Sequence, residues 1–255
     1  MNYEQIQVIK NDNVGKIILN SGKLNILNIA MMVEINRAIE EFSKDNSLKA
    51  LVVGHTGRTF SAGVDVGEHM GDTAKTMLEE FHKIFRQFYS LPCPTIASVK
   101  GAALGGGCEV ALFCDFVIAS ENAKFGQPEI KVGVFPPLAT VLLPHLVPLK
   151  MAYELVMHGE SMNAQEALKY GLINHVFPST TFDQDFENYL QRFRSLSAVV
   201  LRYAKKALQI GTHVEFMHIL SRIEHLYLHE LMETKDANEG LQAFVEKRSP
   251  VWQNR

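Results

Sequence analysis

Apolar residues recur along this chain with two different periods. Short β-branched and apolar runs at Ile6–Ile9 and Gly15–Asn20 predict two opening strands. Met31, Ile35, Ile39 and Phe42 then fall at near-helical spacing, which places them on one face of a helix. The apolar run Ala50–Val53 predicts a strand ending in the turn-rich stretch His55-Thr-Gly-Arg-Thr-Phe-Ser-Ala-Gly63. Leu78, Phe81, Phe85 and Phe88 mark a second amphipathic helix, with Asp72 as its expected cap. Thr95–Val99 predicts a further strand, leading into Gly105-Gly106-Gly107 and another helix. This strand–strand–helix, strand–helix rhythm implies a mixed α/β core.

From Asn163 the pattern turns largely helical. Asn163 with Glu166 reads as a capping box and Gly171 as the stop of that helix. Beyond a short strand around Ile173–Phe177, the last third is mostly amphipathic helix. No Pro-, Gly- or Ser-rich linker, low-complexity tract or repeat divides the chain. The expected organisation is a catalytic core over 1–195 and a helical, oligomerising region over 196–255. Leu201 to Leu231 carries more apolar residues than one buried stripe needs, among them Leu208, Phe216, Ile219, Leu220, Ile223 and Leu226. Either a neighbouring copy covers the second face or the helices fold back on their own core.

Composition narrows the classes. Of 255 residues, 47% are apolar and 21% charged, with a formal net charge of -3. No block of like charge recommends nucleic acid or an anionic membrane as partner. Three cysteines, Cys93, Cys108 and Cys114, form no CxxC pair, and the opening residues lack a signal-peptide pattern. Both features point to reduced thiols in a cytoplasmic protein. Residues 132 to 149 contain no Lys, Arg, Asp or Glu, yet Pro136, Pro137, Pro144 and Pro148 disfavour a continuous spanning helix. A buried, kinked core segment is expected.

Gly101-Ala-Ala-Leu-Gly-Gly-Gly-Cys-Glu109 follows a strand and opens a helix. Glycines there admit close approach, and the free N–H groups of the first turn suit an anion or a developing oxyanion. The segment does not match GxGxxG, because Val110 stands where the third glycine belongs. Glu109 rises from the helix face of Gly106; it either serves chemistry or complements the helix dipole, worth ~0.3–1 kcal/mol. Glu129 follows Pro128 in Phe125-Gly-Gln-Pro-Glu-Ile130, as an aimed carboxylate or an ordinary acidic residue at a helix start. Together the two glutamates and the glycine turn make an acid–base constellation. Thr59–Asp65 offers the N–H of Val64 as a second oxyanion donor, or is simply a turn for which Gly63 supplies positive φ. His218, His225 and His229 share a helical face without a recognisable third-ligand geometry for metal. No GxSxG elbow or Walker loop is present.

These segments carry a resemblance. FSAGVD (Phe60–Asp65), GGGCEVALFCD (Gly105–Asp115), AKFGQPEIKVGVFP (Ala123–Pro136), GLINHVFP (Gly171–Pro178) and the tail Glu239–Arg248 resemble, in order and spacing, the motifs of the enoyl-CoA hydratase (crotonase) superfamily. The resemblance covers essentially the whole chain. It implies an α/β spiral of ββα units with a helical C-terminal extension, assembled as a trimer or a hexamer of two trimers. It implies an acyl-CoA substrate whose thioester oxygen meets the N–H groups of Val64 and Gly106, with Glu109 activating water and Glu129 protonating carbon. Losing one oxyanion donor costs ~3–4 kcal/mol of barrier. Coenzyme A would lie along Ala62, Gly63, Asp65 and Val66, with Gly105 and Pro136 against the substrate. No separate cofactor and no metal are implied.

One stretch departs from ordinary hydratases. Where they carry P-G-x-G-G, this chain reads Phe135-Pro-Pro-Leu-Ala-Thr, placing bulkier apolar residues beside Glu129. That segment, with Val64–Met70 and Leu226–Arg255, is most similar to the branch that hydrates a ring dienoyl thioester. The implied reaction takes cyclohexa-1,5-diene-1-carbonyl-CoA to 6-hydroxycyclohex-1-ene-1-carbonyl-CoA in anaerobic aromatic degradation. The alternatives are a straight-chain enoyl-CoA hydratase or isomerase, and a non-catalytic scaffold or RNA-binding member. Retention of both glutamates and the lack of a basic patch speak against the last.

Overall fold

A computed structural model describes residues 3–71, 73–212 and 216–253, the side chains of 211, 212, 216 and 217 excepted. Asp72, the expected cap, and the Phe216 side chain lie outside the described residues. The chain opens with β1 (Ile6–Asn11) and β2 (Val14–Leu19), an antiparallel hairpin turned by Asp12 and Asn13, both at positive φ. Two such residues match the right-handed twist of the flanking strands. Helix α1 (Ile29–Ser43) starts at Asn28, whose side chain accepts from Met31 N–H, and buries Met31, Ile35, Ile39 and Phe42 as the spacing required.

Thereafter the chain repeats one pattern. A strand enters a large sheet, a short strand enters a small one, and helical segments return across the top. The first turn is β3 (Ala50–His55), β4 (Thr59–Ser61) and α2 (Thr73–Ser90). The second is β5 (Thr95–Val99), β6 (Ala102–Leu104) and α3 (Gly106–Phe113). The third is β7 (Phe116–Ser120), β8 (Lys124–Gly126), a 3-10 turn (Pro128–Val132), α4 (Pro137–Leu146) and α5 (Leu149–His158). Short β9 (Ser161–Asn163), α6 (Ala164–Lys169) and β10 (His175–Phe177) follow. The large sheet runs β1-β2-β3-β5-β7-β10, parallel from β2 onward; the small one runs β4-β6-β8-β9. This is the spiral of ββα units.

Two helices explain their own placement. Every residue of α3 from Gly106 to Leu112 is buried, so it has no solvent face and belongs between layers. The charge-free stretch forms α4, with Pro137 in the first turn, where its missing N–H is harmless, and Pro144 near the end. The capping box forms as read: Asn163 accepts from Glu166 N–H at 2.9 Å, and Glu166 accepts from Asn163 N–H at 2.9 Å.

The C-terminal third forms α7 (Phe182–Arg194), α8 (Ala198–Thr212), α9 (Phe216–Leu226), a π-helical turn (Tyr227–Leu231) and α10 (Lys235–Val245). Helix α8 is anchored by buried Lys205, which donates to Asp115 Oδ2 at 2.7 Å and Cys93 O at 3.1 Å. His82 of α2 lies 2.6 Å from Glu224 of α9, which also pairs with Arg86. Helix α10 rests on the Pro128–Val132 turn through Gly240: a Cβ there would lie 2.4 Å from Val132 O. The helical tail is thus pinned across the top of the spiral.

Candidate active site

The site forms where two glycine-containing loops face each other. Leu27 N–H donates to Gly63 O at 2.9 Å, and Asp65 N–H donates to Leu27 O at 3.1 Å. Those bonds use the groups flanking Val64, so the N–H of Val64 points the other way. Gly63 adopts φ +110, which an L side chain rarely tolerates. Opposite, Gly105 caps α3 at φ 52 and ψ -132. Its own N–H is bound to Gly126 O and its carbonyl accepts from Glu109 N–H. Gly106 N–H is therefore an open donor of the first turn. A Cβ on Gly106 would lie 2.6 Å from Val64 Cγ2, so the two loops are in contact. Neither the Val64 nor the Gly106 N–H has an acceptor among the described residues.

Both glutamates reach this place. Glu109 is buried, and its Oε1 accepts from Ala139 N–H at 2.7 Å, in the first turn of α4. The two prolines at 136 and 137 start that helix so that its open N–H groups meet the carboxylate. Glu129, second in its 3-10 turn, lies against Gly105: a Cβ there would be 2.6 Å from Oε1. Glu129 Oε2 is buried without a partner.

Burial dominates the electrostatics, because a carboxylate out of water loses its hydration. Burial pushes Glu109 up to about 7, while the Ala139 and Leu138 N–H groups pull it back. Burial also raises Glu129 well above the usual carboxylate range, and the charge of Glu109 raises it further. Both carboxyls are thus held above the usual carboxylate range. The pair offers one acid and one base within a single cavity.

That cavity measures about 380 Å³. Ala62, Gly63, Val64, Val66, Gly105, Gly106, Glu109, Glu129 and Pro136 all line it. Asp65 does not; its Oδ1 accepts from Gly67 N–H at 2.8 Å and caps the 3-10 turn Val66–His69. Phe135 lines it too, and the structure adds wall residues that the sequence did not single out for the site: His69, Met77, Phe81, Tyr227, Leu241 and Phe244. His69 Nδ1 lies 2.9 Å from Asp65 O, and burial lowers its basicity, so it is a neutral wall residue. Tyr227 packs edge-on against Phe135, ring centroids 5.4 Å apart. Tyr227, Leu241 and Phe244 come from this chain's own tail, which closes the cavity. Among the described residues no group of three or more His, Cys, Asp or Glu could hold a metal ion. Nor is any helix among them long and apolar enough to cross a membrane.

Comparison with known proteins identifies the family and the fold. The sequence model of the family described as enoyl-CoA hydratase/isomerase matches residues 9–255. A cyclohexa-1,5-dienecarbonyl-CoA hydratase of Thauera aromatica is 38% identical over 235 residues, covering 91% of this chain and 90% of that protein. A probable enoyl-CoA hydratase of Mycobacterium bovis is 35% identical over 258 residues, covering 100% of both. The crystal structure of an enoyl-CoA hydratase from Mycobacterium avium subsp. paratuberculosis superposes with a TM-score of 0.89 at 29% identity, over 99% of this chain and 100% of that one.

Proposed function

Because the chain belongs to the enoyl-CoA hydratase/isomerase family, we propose that this cavity adds water across a conjugated acyl-CoA thioester. The observation that carries the reading is the pair of carboxyls facing one cavity, both raised above the usual carboxylate range by burial, beside two open N–H donors. The thioester oxygen accepts from Val64 and Gly106 N–H. Negative charge gathers there as Glu109 takes a proton from water and the water oxygen bonds to the β carbon. Fixed donors need no reorganisation as that charge forms, and each is worth ~3–4 kcal/mol of barrier. Glu129 then delivers its proton to carbon, and the two carboxyls exchange roles in dehydration. The chemistry is carried by protein groups; coenzyme A belongs to the substrate, and no cofactor or metal takes part.

For the acyl group we propose the ring diene cyclohexa-1,5-diene-1-carbonyl-CoA. Water attacks the ring carbon β to the thioester, the electrons spread through the diene, and the proton lands on its far end. This gives 6-hydroxycyclohex-1-ene-1-carbonyl-CoA. Support comes from the 38% identity to the Thauera aromatica hydratase and from Phe135, Pro136 and Pro137, which wall the cavity beside Glu129 in the segment where ordinary hydratases carry a glycine-rich P-G-x-G-G stretch. A second reading, hydration of short straight-chain enoyl-CoA, is supported by the match to the Mycobacterium bovis protein over both full lengths. Turnover of the cyclic dienoyl-CoA beside crotonyl-CoA decides between them. Rapid crotonyl-CoA hydration with no ring activity selects the second.

We further propose a trimer, or a hexamer of two trimers, in the cytoplasm, with 196–255 forming much of the contact. Val200, Tyr203, Leu208 and Ile210 of α8 are each more than 60% exposed, a load of apolar surface that a partner would cover. Sedimentation at micromolar concentration tests it: a fully active 28.6 kDa species contradicts it.

A further inference from the structure

The π-helical turn Tyr227–Leu231 puts a phenol into the cavity beside the two glutamates. Tyr227 is 2% exposed and lines the cavity, and no hydrogen bond joins its hydroxyl to another described residue. A hydroxyl that opens into a mostly apolar cavity gains from an acceptor there, and the folded chain supplies none. Among the described residues lining the cavity it is the only alcohol or phenol hydroxyl. Glu129, in the same cavity, has its Oε2 buried without a partner. Glu109 commits Oε1 to Ala139 N–H, which leaves it one further oxygen.

From this we infer that the Tyr227 hydroxyl is the third hydrogen-bond partner of the reacting oxygen. It donates to the water held between Glu109 and Glu129, and to the hydroxyl of the product. A single water in a polar site needs two to four partners, and these three groups supply an arrangement that leaves none of them unsatisfied. Burial and the negative charge of the two glutamates hold the phenol proton in place, so Tyr227 acts as a donor throughout. The step balances with no added reagent. The water oxygen bonds to the β carbon, its proton passes to Glu109, and the proton on Glu129 passes to carbon. Tyr227 keeps its own proton and fixes where the oxygen stands. The inference rests on the hydration reading above.

The structure sets up an asymmetry that tests it. The unsaturated thioester carries no oxygen at the attacked carbon, whereas the hydroxyacyl product does. Tyr227→Phe keeps the ring and its edge contact with Phe135, and removes a hydroxyl that makes no bond within the protein. The variant is expected to fold like wild type. Hydration kcat should fall at least about tenfold, the scale of one hydrogen bond to a charged or charging group. KM for the enoyl thioester should stay within about twofold, while the inhibition constant of the hydroxyacyl product rises at least about tenfold by the same arithmetic. A role in shaping the wall alone would move both affinities together or neither. Equal effects on substrate and product, or an unchanged hydration rate, overturn the inference. If wild type hydrates neither the cyclic dienoyl-CoA nor crotonyl-CoA, the hydration reading itself fails instead.

Discussion

Replacing Glu109 by Gln should make the protein more stable in alkaline solution while slowing its turnover at least about 10²-fold. The reason is the cost of holding a carboxylate in a dry cavity. Burial moves Glu109 from 4.5 to about 7, and at about 1.4 kcal/mol per pH unit this is roughly 3 kcal/mol. The sign follows from proton linkage. A carboxyl raised in the folded state holds its proton there while the unfolded chain has already released it. Its contribution to stability is complete below 4.5 and is lost as pH rises through about 7. Glutamine carries no charge, and its amide oxygen can still accept from Ala139 N–H. Urea unfolding at fixed protein concentration should therefore find Glu109→Gln more stable than wild type by about 1–3 kcal/mol at pH 8, and by less than about 1 kcal/mol at pH 5. A variant no more stable than wild type at pH 8, or a gain independent of pH, would refute the reasoning.

Three further outcomes follow from the same geometry. The kcat/KM profile should rise as pH passes about 7, because Glu109 must lose its proton to act as base; a rising limb near 4.5 would contradict the buried base. Gly105→Ala puts a Cβ 2.6 Å from Glu129 Oε1 at φ 52 and should lower kcat about 10²-fold with the fold retained by circular dichroism; unchanged kcat would show that the carboxylate is not held there. Gly240→Ala drives a Cβ to 2.4 Å from the Val132 carbonyl and should cost about 1–3 kcal/mol in thermal unfolding, since a backbone atom cannot turn aside as a side chain can. A neutral result would mean that α10 does not bear on that turn.

How far the sequence could be read depended on the range of each interaction. The Asn163–Glu166 capping box and the stripe Met31, Ile35, Ile39, Phe42 were legible because each is fixed within a few residues. Strands β4, β6, β8 and β9 were not, since three residues are too few to show a period and their pairing is with distant segments. The glutamates were legible as residues, through the glycine turn before one and the proline before the other. Their environment was not: Ala139 N–H reaches Glu109 across 30 residues, and the free oxygen of Glu129 follows from packing. Asp65 was read as a substrate contact because it lies in the right loop, yet its short side chain turns back to cap Gly67. Tyr227 was missed because nothing near it in the chain marks a π turn or a cavity wall. Only the folding of the tail over the Pro128–Val132 turn brings it to the glutamates.

The central claim is that Glu109 and Glu129 together hydrate an acyl-CoA. Its most direct test is the rate at which wild type, Glu109→Gln and Glu129→Gln consume the cyclic dienoyl-CoA and crotonyl-CoA. Wild type should hydrate at least one of these thioesters, and each variant should turn it over at least about 10²-fold more slowly, the scale of a lost general acid or base. Near-wild-type turnover in both folded variants would contradict the account.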